Sequence, residues 1–159
     1  MVATELRVIY GDTDQMGIVY YANYLRFFEA GRTEFIRAKG LRYRDFEASY
    51  QLWLPVTEAN VRYLQPARYD DLLRVETSLV EIRRVSATFG YRLVREDGQL
   101  LVTGRTVHAC IDLKGKLRRL PEALVSLLSA GETLLTAGRG SIATGRRGRT
   151  AWPKSPPRS

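Results

Sequence analysis

The chain has 159 residues, 45% of them hydrophobic, and a formal net charge of +8, which is the size and balance of one globular domain. No apolar run is long enough to cross a bilayer, and the first residues lack the basic start and apolar core of a signal peptide. One cysteine and one histidine exclude an intrachain disulfide and a credible zinc site, so we expect a reducing, cytoplasmic location and no metal.

The predicted elements begin with a short strand at Leu6–Tyr10, followed by a loop dense in glycine and acidic residues. Helical spacing of apolar residues then predicts a helix from about Tyr21 to Lys39, with Gly40 placed for a left-handed cap. Gly31 inside that helix costs about 1 kcal/mol relative to alanine, which indicates close approach to a sheet. Residues 41–50 mix aromatic and charged side chains and are expected to form a loop with a short helix.

Beyond Trp53 the apolar period changes to two, which predicts consecutive antiparallel strands. Asp97-Gly98 predicts a hairpin turn, and Pro121 opens a closing helix that reaches about Ser129. One long helix before a run of strands predicts an α+β fold, and the open edges of its sheet predict oligomerisation. The predicted strands cover residues 57–63, 73–79, 87–93 and 100–112.

The positive charge is concentrated at the C-terminal end. From residue 133 onward the chain has six Lys/Arg and no Asp/Glu. Residues 136–159 are rich in Gly, Pro, Arg and Ser, a composition that cannot offset the entropy of ordering. We therefore expect one folded domain over residues 1–135 and a basic, disordered tail over 136–159. Because the run Gly-Arg-Arg-Gly-Arg149 has no aromatic residue between its arginines, the tail does not predict a specific nucleic-acid site.

The loop Tyr10–Tyr24 carries the residues best suited to chemistry. Asp14 lies between a strand and a helix, and Gly17 lets the backbone approach a ligand closely. The first turn of the helix presents unpaired N–H groups and a partial positive charge. A carboxylate next to such donors gives the geometry that acyl transfer requires, although an Asp in a loop is more often a turn or capping residue. Asp12 is expected to hold the loop through local hydrogen bonds.

This loop resembles the signature of the 4-hydroxybenzoyl-CoA thioesterase-like family of hotdog-fold acyl-CoA thioesterases, in the branch associated with the Tol-Pal cluster. The resemblance extends from about Leu6 to about Leu128. It implies a hotdog fold, in which an antiparallel sheet wraps around one long central helix, and a homo-oligomer, either a dimer or a homotetramer. It also implies hydrolysis of acyl-CoA to a carboxylic acid and CoA, with no cofactor. The matching residues are Asp12-Thr13-Asp14, Gly17, Val19-Tyr20, Asn23 and Tyr24.

The resemblance also implies roles for individual residues. Asp14 is the catalytic carboxylate, either as a general base to water or as a nucleophile that forms a mixed anhydride. The backbone N–H of Tyr21, where many members of the branch have histidine, polarises the thioester carbonyl together with the backbone near Gly17. Asn23 and Tyr24 are assigned to substrate binding.

Arg83 and Arg84, at the junction of two strands, resemble an arginine pair that contacts the phosphates of CoA in the family. Guanidinium groups suit phosphates because they donate paired hydrogen bonds. The match is partial, since Val85 stands where the family site has a third basic residue, and a solvated turn is the alternative reading. Arg118-Arg119 is a second candidate.

Other residues and functions are less favoured. Another hotdog branch uses a helix glutamate directly, but we expect Glu29 to make a helix or interface contact, because its spacing allows it to pair with Arg26 or Arg32. His108 and Cys110 are expected to pack on a strand and not to form a nucleophilic pair. A hotdog hydratase or dehydratase is an alternative function, but it would need a histidine near the loop. A non-enzymatic acyl-CoA-binding module is another, but it would have no use for a catalytic aspartate.

Overall fold

The structure is a computed structural model that describes residues 1–134. The boundary predicted at residue 135 and the tail predicted over 136–159 lie outside the described residues. In the described part of the chain, no helix has the length and apolar character needed to span a membrane.

The described residues form seven strands and three α-helices, with one 3-10 turn at Tyr10–Asp12. The helices are α1 (Asn23–Ala38), α2 (Tyr43–Tyr50) and α3 (Glu122–Ser129). The strands are β1 (Val2–Arg7), β2 (Leu52–Trp53), β3 (Val56–Tyr63), β4 (Leu72–Arg83), β5 (Ser86–Arg95), β6 (Leu100–Ala109) and β7 (Ile111–Asp112).

Five strands form one antiparallel sheet in the order β1-β4-β5-β6-β3, while β2 and β7 pair separately. The long helix α1 packs on this sheet through aromatic residues. Phe28 stacks on Tyr91 of β5 with 4.4 Å between ring centroids, and Phe35 meets Phe89 of the same strand edge-on at 5.8 Å. The prediction of an α+β fold with an antiparallel sheet wrapped around one long helix is therefore confirmed.

Several boundaries differ from the sequence-based prediction. The first strand is Val2–Arg7 and not Leu6–Tyr10, because the chain turns at Ile9, whose N–H donates to the Asp12 carboxylate. The last predicted strand is divided: β6 ends at Ala109, and Ile111–Asp112 pairs with β2 instead of continuing the large sheet. The three helices lie within one or two residues of their predicted limits or inside the predicted segment.

Strand β3 forms one edge of the sheet, and Val61 is its only partly buried residue. Val56 at its start pairs with His108, and Tyr63 at its end pairs with Val102 of β6. The edge therefore offers unpaired backbone groups and mostly exposed side chains, as expected for a surface that another strand can cover.

Candidate active site

Asp12 is the centre of the loop between β1 and α1. Its buried carboxylate accepts the Ile9 N–H at 3.0 Å and pairs with the guanidinium of Arg26. Its backbone carbonyl accepts the Tyr20 N–H at 2.8 Å and the side-chain amide of Asn23 at 2.9 Å. These bonds join both ends of the loop to the first turn of the helix, which is the structural role expected for Asp12. Asn23 contributes to the same scaffold.

Asp14 is held within this loop by local hydrogen bonds. Its N–H donates to the Ile18 carbonyl at 2.9 Å, and one of its carboxylate oxygens accepts the Met16 N–H at 2.8 Å. The side chain is half-buried, and it forms no ion pair with any residue from 1 to 134. The carboxylate therefore has a free oxygen that can accept a proton from water, in contrast to the engaged carboxylate of Asp12.

Gly17 shapes the turn that follows Asp14. Its φ of 72° lies in the left-handed region, which favours glycine, and its N–H donates to the Asp14 carbonyl at 2.9 Å. Because that N–H is engaged within the turn, Gly17 contributes loop shape here and not a free hydrogen-bond donor.

Tyr21 lies two residues before α1, and its backbone N–H donates to no acceptor among the described residues. The N-cap residue of α1 is Ala22, which makes no side-chain cap. An uncapped helix start leaves N–H groups unsatisfied and carries a partial positive charge. A bridge between Thr13 and Val19 joins the Asp14 side of the loop to the segment that enters the helix. The arrangement thus combines a free carboxylate with free donors.

An apolar groove of about 270 Å³ lies beside the loop. The ring of Tyr24 forms part of its wall, while the phenol oxygen accepts the Ala67 N–H at 3.1 Å. Burial raises the pKa of Tyr24, so this phenol stays protonated at neutral pH. The groove could shelter an apolar ligand group from water. Its other walls include Met16, Ile18, Tyr21, Tyr63 and Pro66.

Arg83 and Arg84 lie at the opposite end of the sheet from Asp14. Strand β4 is 12 residues long, beginning beside the loop at Leu72 and ending at Arg83. At about 3.3 Å per residue, its ends are roughly 36 Å apart. Arg83 also pairs with Glu81, with 2.9 Å between Nε and Oε1. A single subunit therefore does not bring the predicted phosphate-binding and catalytic residues together.

The structure does bring the two predicted arginine pairs together. The Leu120 N–H donates to the Arg84 carbonyl at 2.9 Å, so Arg118 and Arg119 lie next to the β4–β5 turn. Arg118 pairs with Asp112 at 2.7 Å. Arg84 and Arg119 have no carboxylate partner in the described chain. This end of the sheet is thus a basic surface with two guanidinium groups available to an anion.

A buried hydrogen-bond chain crosses the space between α1 and the sheet. Arg32 Nη1 donates to the Tyr91 hydroxyl at 3.2 Å, which lies 2.8 Å from Thr106 Oγ1. Thr106 lies 2.8 Å from His108 Nε2, and His108 Nδ1 lies 2.9 Å from the Leu54 carbonyl. No pattern of residues predicts this hydrogen-bond chain, because its members come from distant elements and are ordinary core or surface residue types.

His108 and Cys110 do not form a catalytic pair. Both nitrogens of His108 are engaged in the chain described above, and burial, with the nearby charge of Arg32, lowers its pKa to about 4. Burial raises the pKa of the Cys110 thiol, whose Sγ lies 3.8 Å from the Arg119 carbonyl. A thiol with a raised pKa is a poor nucleophile. The expectation that both residues pack structurally is confirmed.

Glu29 is exposed on α1, and the expected pairing with Arg26 or Arg32 is wrong: within residues 1–134 neither arginine lies at ion-pair distance from it. Arg26 pairs instead with the buried carboxylate of Asp12, and Arg32 donates to Tyr91.

Across residues 1–134, no group of three His, Cys, Asp or Glu side chains is placed to hold a metal ion.

Comparison with known proteins gives consistent matches. Residues 8–128 match the model of the thioesterase-like superfamily. The chain is 37% identical over 108 residues to the putative acyl-CoA thioesterase YneP of Bacillus subtilis (strain 168), covering 68% of this chain and 78% of that one. It is 40% identical over 114 residues to the acyl-CoA thioesterase YbgC of Haemophilus influenzae, covering 71% and 82%. The structure resembles 4-hydroxybenzoyl CoA thioesterase from Pseudomonas sp. strain CBS-3 with a TM-score of 0.73 at 26% identity, covering 79% and 97%.

Proposed function

The chain belongs to the thioesterase-like superfamily and has its hotdog fold, and from this premise we propose that it hydrolyses acyl-CoA thioesters to a carboxylic acid and free CoA. Relatives from two bacteria are named as acyl-CoA thioesterases, and they match over about two thirds or more of this chain. The observation that carries the proposal is the half-buried Asp14 carboxylate, which has no ion-pair partner in residues 1–134 and lies in a loop that leads into an uncapped helix start.

In the proposed reaction, Asp14 accepts a proton from water while the water oxygen attacks the thioester carbon. The carbonyl oxygen becomes an oxyanion, which the Tyr21 N–H and the positive end of α1 stabilise. When the intermediate collapses, the C–S bond breaks and the CoA thiolate takes the proton that Asp14 accepted from water. In the other open route an Asp14 carboxylate oxygen attacks the carbon directly, the C–S bond breaks and CoA leaves as its thiolate. Water then hydrolyses the mixed anhydride to the acid and the free Asp14 carboxylate.

The two routes differ in where a labelled oxygen appears when water cleaves the mixed anhydride at the aspartyl carbon. A single turnover in ¹⁸O-labelled water places the label only in the acid product if Asp14 is a base. If Asp14 is the nucleophile and water cleaves the anhydride at the aspartyl carbon, the label appears in the Asp14 side chain instead. Peptide mass measurement of Asp14 after one turnover reads this difference directly.

The apolar groove beside the loop is the nearest described surface that can shelter the thioester and its neighbouring methylene groups. The Tyr24 ring contributes to its wall, which supports a contact role for Tyr24. Asn23 supports the same site indirectly, because its amide holds the Asp12 carbonyl and thereby the loop.

A homo-oligomer would explain how Arg83 and Arg84 reach the same substrate as Asp14. If the exposed strand β3 pairs antiparallel with β3 of a second copy, the Val56 end of one strand lies beside the Tyr63 end of the other. The basic end of one sheet then lies on the same side as the Asp14 loop of its neighbour. We assign the CoA phosphates to this composite site, formed by a dimer or by a dimer of dimers.

A thiol-release assay across aromatic, short-chain and long-chain acyl-CoA esters tests the function. We expect turnover with at least one class, in a protein that sediments as a dimer or larger and acts in the cytoplasm. Hydration of an enoyl-CoA without thiol release would instead identify a hydratase. CoA-ester binding with no turnover of any ester would identify a binding module.

A further inference from the structure

A small cavity of about 100 Å³ lies between α1, α2 and the sheet, apart from the Asp14 loop. Arg32 and Thr33 of α1 line it from one side, and Tyr43 of α2 from another. Phe89 and His108 of the sheet form its floor. The cavity is therefore mainly polar on the helix side and aromatic on the sheet side.

The directions of the hydrogen bonds beneath the cavity follow from His108. Its Nδ1 faces the Leu54 carbonyl, which can only accept, so Nδ1 carries the proton. Nε2 of the neutral ring must then accept from Thr106, and the Thr106 oxygen must accept from Tyr91. Tyr91 in turn accepts from Arg32. The whole chain is saturated, and His108 has no free nitrogen for a ligand.

Arg32 differs from the other members of the hydrogen-bond chain, because some of its N–H donors remain free. Only its Nη1 is used, in the bond to Tyr91, and it has no carboxylate partner within residues 1–134. Glu29, at the exposed side of the cavity, lies beyond ion-pair distance. Tyr43 also has a free proton, since its hydroxyl oxygen accepts the Leu54 N–H at 3.0 Å. A half-buried guanidinium without a partner favours an anion.

We propose that this cavity binds a small carboxylate, held by the guanidinium of Arg32 and the hydroxyl of Tyr43. Two sources have this chemistry: a carboxylate at the far end of an acyl group, or a free carboxylic acid. The first source rests on the proposed function and its β3 pairing. Leu54 lies two residues before the start of β3, so the cavity lies at the sheet end that such pairing brings to the Asp14 loop of the second copy.

His108 provides the readout for binding, because it is the only histidine of the chain and it lines the cavity. We titrate the full chain at pH 7 with sodium acetate and sodium benzoate, against sodium chloride at equal ionic strength, and follow its imidazole resonances. The wild type and the control Arg37→Gln, on an exposed part of the same helix, should show a saturable shift. Arg32→Gln should weaken the affinity at least tenfold, and Arg32→Lys should restore part of it.

No saturable shift in the wild type, or equal affinity in Arg32→Gln, would overturn the proposal. If the glutamine variant fails to fold, a folded Arg32→Lys protein tests the proposal alone: affinity weaker than in the wild type supports it, because lysine cannot form the guanidinium fork, and affinity equal to the wild type overturns it.

Kinetics then separate the two sources. If the acyl group supplies the carboxylate, Arg32→Gln lowers kcat/KM for glutaryl-CoA at least tenfold more than for the uncharged valeryl-CoA. If a free acid supplies it, both esters change equally while acetate binding is still lost. A saturable His108 shift in a protein that hydrolyses neither ester, nor any other acyl-CoA, would retain the site and reject the proposed function.

Discussion

Gly31 of α1 lies directly against Val75 of β4: a Cβ atom on Gly31 would stand 2.6 Å from Val75 Cγ1, closer than real Cβ atoms approach. Thr77 Oγ1 would lie at the same distance. This contact confirms the close approach predicted from the sequence and explains a glycine within a helix. Gly31→Ala should therefore destabilise the protein by about 1–3 kcal/mol in urea unfolding, because overpacking outweighs the better helix propensity of alanine.

The control for this variant is Ala30→Gly, at the exposed neighbouring position of α1. It should cost about 1 kcal/mol through helix propensity alone. Gly31→Ala and Ala30→Gly would then both lower the stability of the protein. Because helix propensity alone predicts opposite effects for these two changes, only packing at Gly31 can explain the result. A gain in stability for Gly31→Ala would show that the helix can move away from β4 at little cost.

Asp14→Asn should lower kcat by about 10²–10⁴-fold, the range for a lost general base. The unfolding midpoint should stay close to that of the wild type, because this side chain makes a single hydrogen bond to a backbone N–H. Thiol release and thermal unfolding measure the two properties separately. A mutant that keeps more than a tenth of wild-type turnover would remove Asp14 from the mechanism.

Asp12→Asn is the matched variant, two residues away with the same change of atoms. It leaves Arg26 without its carboxylate partner and puts an amide in a buried site, so we expect a loss of about 1–3 kcal/mol in stability. Turnover should fall only to the extent that the loop holding Asp14 becomes less rigid. If Asp12→Asn instead abolished turnover with unchanged stability, the catalytic roles of the two carboxylates would have to be exchanged.

The long helix and the antiparallel strands could be predicted because their apolar periods are clear and their ends carry Gly40, Asp97-Gly98 and Pro121. The limits of the first strand could not be predicted from the sequence. Leu6–Tyr10 has a strand-like composition, but the Asp12 carboxylate captures the Ile9 N–H and ends the strand early. A hydrogen bond from a side chain to the backbone has no periodicity, so the pattern of residues cannot report it.

The Asp14 loop could be proposed from local sequence because its ligand-facing parts are consecutive. The separation of Arg84 from that loop could not, since it follows from the direction of the 12-residue strand β4. The meeting of Arg84 with Arg118-Arg119 depends in the same way on tertiary pairing. The Arg32 cavity was missed because a surface-type arginine on a helix gives no sign that the side it faces is half-buried.

Replacing both Arg83 and Arg84 by alanine should raise KM for acyl-CoA esters about tenfold or more, with a smaller change in kcat. A lost charge-assisted contact to phosphate is worth about 1.5–3 kcal/mol, and it acts equally on ground state and transition state. The pantetheine thioester of the same acyl group lacks the nucleotide, so its KM should not change. Replacing Arg42 and Arg44, two exposed arginines at the start of α2, by alanine is the charge-matched control. An equal effect on both thioesters would mean that the pair acts through structure.

His108 should make the free energy of unfolding depend on pH between its folded and unfolded pKa values. Its pKa falls from an ordinary value of 6.5 to about 4 in the folded protein, mainly through burial and secondly through the charge of Arg32. The unfolded chain therefore binds more protons than the native one between those values, so the free energy of unfolding is highest above pH 6.5 and declines as pH falls toward 4. The interval corresponds to about 3 kcal/mol.

His108→Gln cannot titrate at position 108, while the carboxylates of that variant titrate as in the wild type. Urea unfolding of both proteins at pH 7, 5.5 and 4.5 should show the wild type losing stability more steeply, because a protonated Nε2 can no longer accept from Thr106. Parallel curves for the two proteins would show that His108 titrates at its ordinary pKa and that the hydrogen-bond chain does not fix its neutral form.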